Sequence, residues 1–174
     1  MRLRPMEAED LDAVAALEAA ISPGPWTRGI FRDCLMAGYD AWVGLDGEAH
    51  LLAFGILSTG AAEAHILNLG VDPGARRRGY GRCMLRHLLC RARQLGAERA
   101  FLEVRVSNLP AQNLYRSLGF HEIGVRLNYY RNPEGREDAL VLSLALDALQ
   151  TTVEEGEPAA GLGSERSSPG ALPR

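Results

Sequence analysis

Lysine is absent from this 174-residue chain: all nineteen of its basic residues are arginine. That excludes Schiff-base lysine chemistry and a P-loop, whose lysine reaches the phosphates. Cysteine is scarce. Cys34, Cys83 and Cys90 are the only three, and none shares a Cys-x-x-Cys spacing, which argues against a disulfide framework and a structural zinc site. They read as small buried hydrophobes in a reducing compartment. His50, His87 and His121 also lack metal-ligand spacing, so no metal is expected. No stretch approaches the ~18–20 apolar residues that span a bilayer. The start, Met1 to Glu7, soon meets Glu9, Asp10 and Asp12, so it has no apolar signal-peptide core. No membrane partner and a cytoplasmic location are expected. With a net charge of −3, nothing global points to nucleic acid.

What is present is ordinary for a globular protein: 47% hydrophobic and 24% charged residues. Residues 151–174 are Gly, Pro, Ser and Glu with almost no large apolar side chains, a composition that cannot offset the entropy of ordering. The expected organisation is one domain over residues 1–150 and a disordered C-terminal tail over 151–174. Charge is uneven along the domain: between Pro73 and Ala97 there are seven arginines and no acid.

Arg2 to Arg4 reads as a short strand. Asp10 then precedes a helical stripe of Leu11, Val14, Leu17 and Ile21. A second helix is predicted from Thr27 as N-cap to near Gly38. Asp46-Gly47 separates two hairpin strands, Ala41–Leu45 and Leu51–Ser58, and Ala64–Val71 is a further strand ending at Asp72-Pro73-Gly74. A helix follows Gly79, with Met84, Leu85, Leu88, Leu89 and Ala92 as its apolar face and Gly96 as its stop. Ala100–Val106 is a strand and Leu109–Leu118 a short helix. His121–Leu127 and Ala139–Leu146 are closing strands around the polar turn Asn132-Pro133-Glu134-Gly135. The order β-α-α-β-β-β-α-β-α-β-β mixes hairpins with helical crossovers, which implies an α/β (mixed α+β) fold with helices flanking a mixed sheet.

Arg76-Arg77-Arg78-Gly79-Tyr80-Gly81 lies between a strand and a helix, where unpaired N–H groups and the helix dipole favour an anion. The plain alternative is a solvated basic helix start. The segment resembles the (Gln/Arg)-x-x-Gly-x-(Gly/Ala) acetyl-CoA loop of the GNAT N-acetyltransferases. Leu102-Glu103-Val104-Arg105-Val106-Ser107-Asn108 and Ala111-x-x-Leu-Tyr115-x-x-Leu-Gly-Phe120 resemble the next two blocks of that superfamily. Pro25-Trp26, and Asn128-Tyr129-Tyr130 followed by Gly135-Arg136-Glu137-Asp138-Ala139, are similar to the group that acetylates the N-terminal alanine of a ribosomal protein. The resemblance covers about residues 1–147.

It implies a mostly antiparallel central sheet and acetyl-CoA as co-substrate, with the N-terminus of a protein, a ribosomal protein first among candidates, as acceptor. It implies direct attack within a ternary complex. Backbone groups of Leu69, Gly70 and Val71 would pair with the pantetheine arm and polarise the thioester carbonyl. The backbone of Arg77, Arg78, Gly79, Tyr80, Gly81 and Arg82 would cradle the pyrophosphate. Glu103 would be the general base; its residue-level alternative is an edge-exposed Glu or an ion pair with Arg105 or Arg126. Tyr115, a weak acid suited to reprotonating a thiolate, would be the general acid, against ordinary core packing. Asn108 would hydrogen-bond the cofactor or serve only as an N-cap. Trp26, Tyr129 and Tyr130 are large aromatics in predicted loops and would wall the peptide groove. His65 is a reserve base, against a solvated strand-end histidine. Two rival functions are a GNAT of broader N-terminal or small-amine specificity and a non-catalytic acyl-CoA sensor.

Overall fold

A computed structural model describes residues 1–132 and 135–147; the tail expected over 151–174 lies outside them. The elements are β1 (Arg2–Pro5), α1 (Leu11–Ile21), α2 (Arg28–Met36), β2 (Asp40–Leu45), β3 (Leu51–Gly60) and β4 (Glu63–Val71). After these come α3 (Tyr80–Gln94), β5 (Arg99–Arg105), α4 (Leu109–Arg116), β6 (His121–Asn132) and β7 (Gly135–Ala145). Local chemistry sets several of the boundaries. Thr27 Oγ1 accepts the Ile30 N–H at 3.4 Å and Asn108 Oδ1 accepts the Ala111 N–H at 3.2 Å, each satisfying a first-turn donor.

The strands form one seven-stranded sheet in the order β1-β2-β3-β4-β5-β7-β6. Every neighbouring pair is antiparallel except β4 and β5, which are parallel, as strands joined by a helical crossover through α3 must be. One face carries α3 and α4: Met84, Leu85, Leu88, Leu89 and Ala92 pack on Ala100, Leu102, Val104, Leu142 and Leu144. The other carries α1 and α2, where Leu11, Val14, Leu17 and Phe31 pack on Val43, Phe54 and Ile56. In β5 the buried residues alternate with half-buried ones. Glu103 and Arg105 therefore stand on the face opposite α3.

Two expectations change. β6 and β7 run farther than the sequence suggested, because bulges between Glu122 and Gly124 and between Arg126 and Tyr130 break the apolar alternation without ending the pairing. Tyr129 and Tyr130 are thus strand residues rather than loop residues. Of the cysteines only Cys34 is buried; Cys83 and Cys90 are exposed. They lie seven residues apart on α3, two turns along the side away from the Met84–Leu88 stripe, so helical period outweighs the cysteine's burial preference.

Candidate active site

β4 and β5 pair only from Glu63↔Arg99 to His65↔Phe101. Beyond that, β4 continues to Val71 with β3 alone beside it, and β5 continues to Arg105 with β7 alone. The two strands diverge, and from Ile66 to Val71 half of the β4 main-chain groups face the gap. Strand groups in that position need partners. Leu69, Gly70 and Val71 all lie in this stretch. A slip in register between Ile56 and Leu57 leaves Leu67 outside the ladder at the point where the gap begins.

At the mouth of the gap α3 begins. Its N-cap is Gly79, with φ +83° and no side-chain cap bond, so no side chain of its own covers the first-turn N–H groups. Arg77 just before it also has positive φ, at +65°. An ideal Cβ on Gly81 would sit 3.3 Å from Val71 Cγ2 and 3.4 Å from Leu114 Cδ2. Gly81 thus lets the helix start close onto β4 and α4. Arg76, Arg77, Arg78 and Arg82 are exposed around this start, and Arg82 Nη2 donates to Ser117 Oγ at 2.8 Å. An uncapped 15-residue helix aimed at unpaired strand groups, ringed by arginine, fits an anionic pyrophosphate with a pantetheine arm. Asn108 Oδ1 is used as the α4 cap, which leaves its amide N–H₂ for a ligand.

On the β5 side of the gap the candidate acid–base groups gather. Glu103 pairs with Arg126 at 3.2 Å, its side chain 22% exposed against 56% for the arginine. This is one of the alternatives the sequence allowed. Tyr115 is buried against Phe120, ring centroids 6.0 Å apart, and burial pushes its phenol up to about 12. The Tyr130 hydroxyl donates to the Glu103 carbonyl at 3.0 Å. Burial raises its pKa well above the ordinary phenol value, reinforced by Tyr129, Glu103 and Tyr115. Glu103, Tyr115, Tyr129 and Tyr130 therefore share one electrostatic neighbourhood. His65 stands apart: it stacks on Phe101 at 5.3 Å, at the last rung where β4 and β5 still pair.

Trp26 packs against Phe31 at 5.5 Å, and its backbone N–H donates to the buried carboxylate of Glu18 at 3.2 Å. Tyr129 and Tyr130 are in edge-to-face contact at 5.0 Å, with Tyr129 about half exposed. The α1–α2 loop reaches this hairpin through Gly24, where a Cβ would lie 3.4 Å from the Arg131 carbonyl oxygen. Sequence reasoning gave no role to Glu18, Gln112 or Glu137. Their signal was there for Gln112 and Glu18, polar residues inside apolar helical stripes that fold to 3% and 4% exposure; Glu137 stood out only as part of the Gly135–Ala139 block. Among the described residues no cluster of His, Cys, Asp or Glu could hold a metal ion, and no helix is long and apolar enough to cross a membrane.

A sheet opened between two parallel strands, with an uncapped helix start at its mouth, is the architecture of an acyl-CoA-dependent acyltransferase. The chain belongs to the acetyltransferase (GNAT) family, which it matches over residues 11–120. It is 36% identical over 141 residues to the ribosomal protein bS18-alanine N-acetyltransferase of Escherichia coli, covering 81% of this chain and 95% of that protein. To the enzyme of the same name from Haemophilus ducreyi it is 35% identical over 139 residues, covering 79% and 95%. The crystal structure of the ribosomal-protein-S18-alanine N-acetyltransferase from Escherichia coli superposes with TM-score 0.77 at 33% identity, over 87% of this chain and 97% of that one.

Proposed function

We propose that this protein transfers the acetyl group of acetyl-CoA to the N-terminal α-amine of a protein, with the N-terminal alanine of ribosomal protein bS18 the first candidate acceptor. The observation that carries it is the gap between β4 and β5, with Glu103 and the phenols of Tyr115 and Tyr130 along one side. The relatives' names support the choice of acceptor.

When bound, acetyl-CoA supplies the activated thioester. Main-chain groups of Leu69, Gly70 and Val71 hold the arm and polarise the carbonyl, and the backbone from Arg77 to Arg82 holds the pyrophosphate. Glu103 takes the proton from the acceptor ammonium, directly or through water, so that the amine nitrogen bonds to the carbonyl carbon as the carbon–sulfur bond breaks. Its present partner Arg126 is mostly exposed, and exposed pairs contribute at most about 1 kcal/mol, so exchanging that arginine for substrate costs little. Tyr115, held protonated by burial, gives its proton to the departing thiolate, and the second proton that the nitrogen sheds as the amide forms restores the phenol through water. Trp26, Tyr129 and Tyr130 wall the acceptor groove. His65, held on the last rung where β4 and β5 still pair, is outside this route.

Incubating the protein with acetyl-CoA and a panel of N-terminal peptides, with thiol release as readout, tests the reading. Release on peptides beginning with Ala is expected. Release on small amines only would replace it with a broader transferase, and binding without release with a sensor.

A further inference from the structure

Arg105 belongs to none of the roles above, yet it is among the most heavily engaged side chains of the structure. It stands two residues beyond Glu103 on the same face of β5, only 12% exposed and paired at 3.2 Å with Glu137. Its Nη2 donates to the Arg131 carbonyl at 3.0 Å, and its guanidinium lies 4.3 Å from the centroid of the Tyr130 ring. An ideal Cβ on Gly24 would come within 3.3 Å of the same nitrogen. One planar group thus touches the α1–α2 loop, the β6 backbone, a β7 carboxylate and an aromatic wall, and Tyr130 in turn bonds the Glu103 carbonyl. All of these partners lie on the acceptor side of the gap.

We propose that Arg105 is a positioning residue that holds the walls of the acceptor groove at a set distance from the Glu103 strand. The proposal rests on the acetyl-transfer reading. Only a guanidinium can stack and fork at once, and without it the half-buried Glu137 carboxylate would keep only the Ser107 N–H as partner. The cofactor side is held separately. Gln112 Nε2 donates to the Arg105 and Val106 carbonyls at 3.1 and 2.7 Å, and Glu137 accepts the Ser107 N–H at 2.8 Å. Gln112 thus holds the turn carrying Asn108 without the guanidinium, while Glu137 is shared between that turn and Arg105.

Arg105→Lys in the full chain keeps the charge and loses the fork and the stack. The KM for an Ala-starting peptide is expected to rise about tenfold or more, since small misplacements are costly. The acetyl-CoA Kd by calorimetry should stay within about twofold and kcat should change far less than KM. Amide exchange should quicken in Arg126–Arg131 and Glu137–Ala139 alone, and Tyr130→Phe, which preserves the stack, should leave that protection in place. Unchanged peptide KM with unchanged exchange would overturn the proposal. Loss of protection across the whole sheet, with loss of acetyl-CoA affinity, would overturn it equally by making Arg105 a general structural residue. If the native protein acetylates no peptide N-terminus, the functional reading fails by itself, and exchange at the hairpin still decides whether Arg105 holds it.

Discussion

In the proposed mechanism Glu103 and Tyr115 divide the proton work between them, and each role is testable by removing one atom's chemistry. Positioned acid–base groups contribute ~10²–10⁴-fold, so Glu103→Gln should lower kcat by that order, with the greatest loss at low pH, where little free amine exists in solution. Tyr115→Phe should lower kcat with acetyl-CoA binding nearly intact. Because burial pushes Tyr115 up to about 12, no tyrosine ionisation should limit the pH–rate profile below that value. Gly70 is needed for a steric reason: it is paired with Phe54 across β3 and β4, and a Cβ there would overlap the Phe54 ring and lie 2.8 Å from Ile21 Cδ1. Gly70→Ala should destabilise by about 1–3 kcal/mol, read from the urea midpoint. His87 packs edge-on to Trp42, centroids 4.0 Å apart. Burial, helped by Arg91 and opposed by Asp40, holds its imidazole below the ordinary 6.5. The unfolded chain therefore takes up the proton first: stability is present above that value and falls as pH drops through it toward the folded pKa. Melting temperature should decline as pH falls below about 6.5, and His87→Phe should flatten the decline.

At the scale of elements, the boundaries that side-chain chemistry sets were legible. Thr27 and Asn108 cap α2 and α4 where expected, and α3 presents the apolar stripe read from its spacing. The β6–β7 pair was legible but its length was not, because the pairing survives through bulges that ordinary alternation does not encode. Asn128, at φ +54°, turns the chain there, with its N–H on Asp138 Oδ1 at 2.7 Å and its carbonyl accepting from Arg136 at 3.0 Å. The bulge carries Tyr129 outward, where it is about half exposed. Asn128→Val, which cannot relax in the left-handed region, should cost about 1–2 kcal/mol and weaken peptide binding. Asn128→Gly should leave stability almost unchanged. Equilibrium unfolding of the two variants side by side checks this.

At the scale of the whole molecule, charge divides along the chain: residues 1–72 carry eleven acids and four arginines, while residues 73–121 carry ten arginines and two acids. The second stretch supplies α3, α4 and the mouth of the gap, so the positive field lies where a polyanionic cofactor would enter. Such steering is screened within about 10 Å at 0.1 M salt. The KM for acetyl-CoA should rise several-fold between about 0.05 and about 0.5 M salt, with kcat changing less. Ending the chain at Gln150 should leave melting temperature and rate unaltered, because the segment beyond it has little apolar surface to contribute. By itself the sequence determined the element order, the capping residues, the basic helix start and the residue types able to move protons. Those are properties of neighbours in the chain, written in spacing and local hydrogen bonding. Only the tertiary structure decided that β4 and β5 part after three rungs, that Glu103 meets Arg126, and that one guanidinium joins Gly24, Tyr130, Arg131 and Glu137. Those contacts join residues brought together by the twist and divergence of strands, and no short-range pattern records where two strands separate.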